Sequence, residues 1–217
     1  MFIGHYAVAL AAKKAAPKVS LGTLFFSVQL VDMLWPLFLL VGLEHVRIDP
    51  GNTVVTPLDF YDYPITHSLV GALAWSLLFG LVYFGARRYT KGALILAAGV
   101  FSHWVLDLIV HSPDLPLMPG GVKVGLGLWN SRPGTLVVEL GLYAIGIALY
   151  LSATTAQDRT GRYALWALLA LFLVLYLGNI FNPTPPPSAT AVAWLGLGTW
   201  LFVPWAYWID RHRRSRA

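Results

Sequence analysis

The sequence predicts an all-α integral membrane protein of about six transmembrane helices plus a short helix at its amino end. Three observations predict it. The 217 residues are 57% hydrophobic and only 12% charged, against roughly one-quarter charged residues in soluble domains. Six apolar runs can be cut at 21–43, 66–85, 93–111, 135–155, 162–181 and 188–208, each about the 20 residues that a ~30 Å hydrocarbon layer requires. The basic residues fall on alternate connections, as the positive-inside rule expects. The six spans use most of the chain, so residues 1–217 read as one membrane domain.

Residues 2–16 form a helix too short to span. Its apolar stretch precedes its lysines, the reverse of a secretory signal peptide, so cleavage is not expected. A half-inserted helix inside the bundle and an amphipathic helix on the cytoplasmic face both fit. Lys13, Lys14 and Lys18 then lead into span one; Arg87, Arg88 and Lys91 separate spans two and three; Arg159 and Arg162 separate four and five; Arg211, Arg213, Arg214 and Arg216 follow span six. Twelve of the fifteen basic residues thus share one side, and only Arg47, Lys123 and Arg132 fall opposite. This asymmetry orients both termini toward the cytoplasm. The net charge of +5 is therefore an orientation signal, with the DRHRRSRA tail available to anionic lipid rather than to nucleic acid.

Two longer segments face outward. Residues 44–65 carry turn chemistry at Asp49, Pro50 and Gly51, then an acidic and aromatic group at Asp59, Phe60, Tyr61, Asp62 and Tyr63. Residues 112–134 are rich in Pro and Gly, and the VKVGLGLW alternation fits a short strand or an interfacial dip. Long outer segments against short inner turns put the working face outside. No internal repeat is evident, which weakens a transporter built on inverted halves.

Ionisable groups within apolar spans cost about 2.5–3.5 kcal/mol each at a helix centre, so each needs a partner or a task. Span one holds Asp32, span three His103 and Asp107, and span four Glu139, while His67 and His111 mark outer ends. His103, Asp107 and His111 are spaced four apart and share one helix face. Imidazole and carboxylate are ligands that zinc, manganese or iron accept; the alternative is three polar groups hydrogen-bonded in a helix interface. The chain has no cysteine, so any metal must use nitrogen and oxygen.

Depth, counted at ~1.5 Å per residue from the lysine turns, puts Asp32, His103 and Asp107 at ~21, ~18 and ~24 Å, His5 at ~13 Å, and His67 and His111 both at ~30 Å. That spread of ~17 Å exceeds one ion's reach, so two ions, or outlying members that orient the ligands, are expected. Pro36 lies four residues after Asp32 and cannot donate to its carbonyl, which frees a backbone oxygen there. Glu139, Asp59 and Asp62 are candidates for a base or for outer hydrogen bonds to the ligands.

The early His5, Asp32 in span one, the PITHSL stretch with His67, and the SHWVLDLIVHSPD stretch with His103, Asp107 and His111 together resemble the predicted membrane-bound metal-dependent hydrolases of bacteria. The likeness covers roughly residues 1–120, and the order of His and Asp is more distantly similar to zinc-dependent phospholipase C. It implies a hydrolase of the bacterial inner membrane that acts on a phosphoester or lipid-like substrate through metal-activated water. Its ligands would be His5, Asp32, His67, His103, Asp107 and His111, with zinc first among the divalent metals. The competing readings are a metal-ion or proton transporter or channel, since aligned Asp and His also make ion pathways, and a scaffold with structural polar contacts.

Overall fold

A computed structural model describes residues 1–182 and 184–216. The chain forms an all-α membrane bundle in which, among the described residues, six helices are long and apolar enough to cross a bilayer. Helix α1 (Ile3–Ala15) precedes α2 (Leu21–Leu40), the first of these six. Strands β1 (His45–Ile48) and β2 (Leu58–Asp62) form an antiparallel hairpin, and the single-turn α3 (Pro64–His67) leads to α4 (Leu69–Arg87) and α5 (Thr90–Val110). Strands β3 (Leu115–Pro116) and β4 (Lys123–Val124) pair before α6 (Arg132–Ala153). Strand β5 (Thr154–Ala156) and α7 (Arg159–Phe181) follow, then α8 (Ala189–Gly198), α9 (Phe202–Arg211) and β6 (Arg213–Ser215), which pairs with β5.

Helix α1 lies inside the bundle, not on its face. Ile3, His5, Tyr6, Ala9 and Leu10 are buried, and the helix packs between α6, α2 and α5. Gly146 permits this approach: a Cβ there would lie 2.5 Å from the Ala7 carbonyl oxygen, the close backbone contact that small residues allow between membrane helices. Lipid-facing positions stay apolar, with Leu77, Leu81, Leu94, Val137, Val174 and Leu195 all exposed.

The basic turns share one end of the bundle. Lys13 Nζ donates to the Val19 carbonyl and to Asp210 Oδ1, both at 2.8 Å, Lys18 sits over the Tyr89 ring, and Ser215 donates to the Pro17 carbonyl. The carboxyl-terminal strand is thus at this lysine end, whereas residue 1 lies within the bundle, its amino group 2.7 Å from Asp107 Oδ1.

Two spans differ from the continuous runs of the hydropathy pattern. The second is cut at Ser68, whose extended backbone ends α3 and whose hydroxyl caps α4 by accepting from Gly71 N. Trp75 Nε1 donates to the Ile65 carbonyl and ties α3 back against α4. The sixth contains a 3₁₀ turn, Thr199–Leu201, between α8 and α9; Pro204 has no N–H for the Trp200 carbonyl, so the helix tightens there. Helix α2, by contrast, runs through Pro36, whose ring packs against Gly196 of α8.

Candidate metal centre

His103 and Asp107 sit one turn apart on the buried face of α5, as their spacing requires. His103 Nδ1 is 2.7 Å from the Val28 carbonyl of α2. A carbonyl only accepts, so Nδ1 carries the proton, and in a neutral ring Nε2 presents a lone pair. That buried Nε2 has no hydrogen-bond partner among the described residues, yet it lies 3.4 Å from Asp32 Oδ1 and 3.2 Å from Asp107 Oδ2. A lone pair facing two carboxylates is repulsive unless a cation, proton or metal ion, lies between them.

His67 completes the set. Its Nε2 is 3.2 Å from Asp32 Oδ1 and 3.9 Å from Asp107 Oδ2. Ligand atoms ~2.0–2.1 Å from a tetrahedral zinc stand about 3.3 Å apart. The four nitrogen-to-oxygen separations among these two nitrogens and two oxygens run from 3.2 to 3.9 Å, close to four of the six edges of such a tetrahedron. His5 stacks on the His103 ring at 3.7 Å and places Nε2 3.2 Å from Asp107 Oδ1. Two triads, His5–His103–Asp107 and Asp32–His67–His103, each have ligand atoms within 4.8 Å of one another. The donor set therefore fits a divalent transition metal in chemistry and spacing.

Five of the six expected ligands, His5, Asp32, His67, His103 and Asp107, thus meet in one cluster instead of spreading over ~17 Å. The depth of His67 was overestimated because α3 is not an extension of α4: the break at Ser68 folds His67 back to the level of Asp32. His111 is the one that stands apart. It caps α5 with extended backbone, which takes its side chain off the helical stripe. Its Nδ1 meets Asp114 Oδ1 at 2.9 Å and the Tyr63 hydroxyl at 3.3 Å, and its ring packs on Trp129 and Phe60.

The three carboxylates expected as bases divide in the same way. Asp59 and Asp62 belong to the exposed β1–β2 hairpin, where cross-strand register pairs them with Arg47 and His45; neither reaches the cluster. Glu139 is buried beside it, but its Oε2 accepts the N–H groups of Phe2 and Gly4 at 2.9 and 3.2 Å, which satisfies the first turn of α1.

Glu44 and Thr66 were not singled out in the sequence. Glu44 is 1% exposed; its Oε1 accepts from Ile65 N and Thr66 N, its Oε2 accepts from the Thr66 hydroxyl, and Thr66 Oγ1 is 2.6 Å from His67 Nδ1. The available signal was a carboxylate at the very end of the first apolar span and a T-H pair at the start of the second.

A cavity of about 220 Å³ adjoins the cluster, reached by Asp32, His67, Asp107, His111 and Glu139 and walled by Trp35, Phe60, Trp129, Tyr176 and Ile180. No lysine or arginine lines it among the described residues.

A family model described as YdjM inner membrane protein matches residues 2–185, a stretch that contains every member of the cluster. Neither a curated protein nor a solved structure matches the chain. Over most of its length, then, this chain belongs to the YdjM inner membrane protein family.

Proposed function

We propose that this protein is a membrane-embedded metal-dependent hydrolase whose substrate is a phosphoester or lipid-like molecule. The observation that carries the reading is the convergence of His103 Nε2, the nitrogen left over once Nδ1 donates to Val28, with His67 and two carboxylates beside a cavity. Of the charges on the two carboxylates, the Met1 amino group, 2.7 Å from Asp107 Oδ1, meets one, and a cation between Asp32 and Asp107 would offset the rest. Both triads share His103, and its one free lone pair serves one ion, which supports a single centre at the His67–His103–Asp32–Asp107 edge.

A divalent ion such as zinc supplies Lewis acidity there: it lowers the pKa of water and steadies charge on an ester oxygen. The chain's own groups do the rest. Asp32 is the one member of the cluster partly open to the cavity, with 37% of its side chain exposed, so it lies where substrate and water arrive. His111 lines the same cavity with Nδ1 held by Asp114, the arrangement that orients a histidine for proton transfer. The aromatic walls exclude water and suit an apolar substrate portion. With no lysine or arginine on the wall among the described residues, neutralisation of a phosphate would fall to the bound ion.

A layer of packed aromatic rings, Tyr6, Phe25, Phe172 and Phe202, lies in the core of the bundle without a carboxylate or imidazole among them. That supports hydrolysis over passage of ions through the bundle. The test is metal analysis of protein purified in detergent, combined with release of phosphate or fatty acid from a panel of lipid phosphoesters. About one equivalent of metal is expected, with activity lost on chelation and regained on zinc or manganese addition. A metal-free preparation that stays folded and gains nothing from either metal contradicts the proposal.

A further inference from the structure

We propose that Glu44 is a positioning residue that sets the direction of a hydrogen-bond chain, Glu44 to Thr66 to His67, and thereby keeps a lone pair on His67 Nε2; this deepens the metal-site reading and rests on it. The Glu44 carboxylate has no proton to give, so its bonds run one way. Oε1 takes the N–H groups of Ile65 and Thr66 at 2.7 and 2.8 Å, and Oε2 takes the Thr66 hydroxyl at 2.7 Å. The hydroxyl has one proton, now committed to Glu44. The 2.6 Å contact between Thr66 Oγ1 and His67 Nδ1 must therefore use the imidazole's own N–H. With Nδ1 protonated in a neutral ring, Nε2 is the lone pair, and it is the atom that faces Asp32 and Asp107. Outer carboxylates commonly orient ligand histidines in this manner; here a threonine hydroxyl stands between.

The chain of donors makes an unusual demand on substitutions. In Glu44→Gln the amide oxygen still satisfies the two backbone N–H groups, but the NH₂ now donates to Thr66 Oγ1. The hydroxyl is forced to turn its proton toward His67 Nδ1, which moves the ring proton to Nε2 and puts an N–H where the ligand lone pair was. An isosteric amide thus does more harm than cutting the chain. Thr66→Ala removes the relay and leaves His67 free to choose its tautomer, so combining it with Glu44→Gln relieves the reversal. Packing damage at two neighbouring sites has no reason to cancel in that way.

The experiment measures zinc affinity by chelator competition on the full-length protein in detergent, together with ¹⁵N spectra of histidine-labelled, metal-free samples. Glu44→Gln is expected to weaken zinc binding about 10–100-fold, Thr66→Ala less, the double variant less than Glu44→Gln alone, and Thr66→Ser not at all. His67 should be protonated on Nδ1 in the wild type and on Nε2 in Glu44→Gln. The proposal is overturned if the double variant binds more weakly than Glu44→Gln, if Glu44→Gln binds like the wild type, or if wild-type His67 carries no proton on Nδ1. The last comparison needs no variant to fold. If the wild type takes no zinc, the metal reading fails, while the ¹⁵N spectra still decide the hydrogen-bond chain.

Discussion

The two ends of the bundle bury polar groups in opposite ways. At the lysine end the two buried cations, Lys13 and Arg213, have their acceptors. Lys13 bonds a carbonyl and Asp210. Arg213 donates to Thr154 Oγ1 through Nε and Nη2 at 3.2 and 2.9 Å and to the Gly161 carbonyl through Nη1 at 3.0 Å, with its guanidinium over the Tyr150 ring. At the other end, two carboxylates and three imidazoles crowd together with the Met1 amino group on Asp107 but no lysine or arginine among the described residues, and His103 Nε2 has no hydrogen bond among them. Matched pairs staple helices together and need no further explanation. A cluster short of positive charge does, because each buried ionisable group costs about 2.5–3.5 kcal/mol in a bilayer. The difference teaches which polar residues in a membrane bundle point to chemistry: those whose pairing is incomplete.

Substitutions at the two ends should therefore separate metal content from stability. The largest effect is expected from Asp107→Asn. As a ligand its charge offsets the cation, so its loss should cut metal affinity beyond the roughly 10–100-fold typical of outer-residue changes, and the metal-free protein should lose stability as well, because the buried Met1 amino group, 2.7 Å from Asp107 Oδ1, is left without its partner. Full metal occupancy in this variant would remove Asp107 from the ligand set. Lys13→Met should cost stability alone. It leaves Asp210 without its partner; breaking a buried pair costs about 3–5 kcal/mol, and because Asp210 is partly exposed a loss of about 2–3 kcal/mol is expected. Metal content should not change, and denaturant titration beside metal analysis checks both halves.

The smallest effect belongs to Asp158, the exposed cap of α7. The Gly161 N–H, and then the His212 ring, hold its carboxyl below the ordinary carboxylate value. A depressed carboxyl stabilises fully above its unfolded pKa of about 4 and less as pH falls through the lowered value. Asp158→Asn should remove that acid-side dependence and leave melting at neutral pH and metal content nearly untouched. Melting curves from pH 3 to 7 would show it; an unchanged acid limb would mean that the cap contributes nothing.

Much of the fold could be read from hydropathy because the bilayer imposes a length on every span, and α2, α5, α6 and α7 lie where their apolar runs predict. The level of Asp32, His103 and Asp107 was legible for a related reason: straight helices convert residue count into depth. His67 escaped that count because Ser68 breaks the helix, a local capping event that hydropathy does not register. His111 escaped it because α5 ends one residue before it. Asp59 and Asp62 looked chemical through their density, yet hairpin register hands each a basic partner. Glu44 and Thr66 carry no periodic signal at all; only the three-dimensional return of α3 against the end of α2 brings them behind His67.

The most direct test is to locate the ion. Crystals of the detergent-purified protein grown with zinc, measured across the zinc absorption edge, should give one anomalous peak about 2.0–2.2 Å from His67 Nε2, His103 Nε2 and a carboxylate oxygen of Asp32 and of Asp107. A protein that crystallises in the same fold with no peak at this cluster, or with its zinc bound elsewhere, would contradict the account.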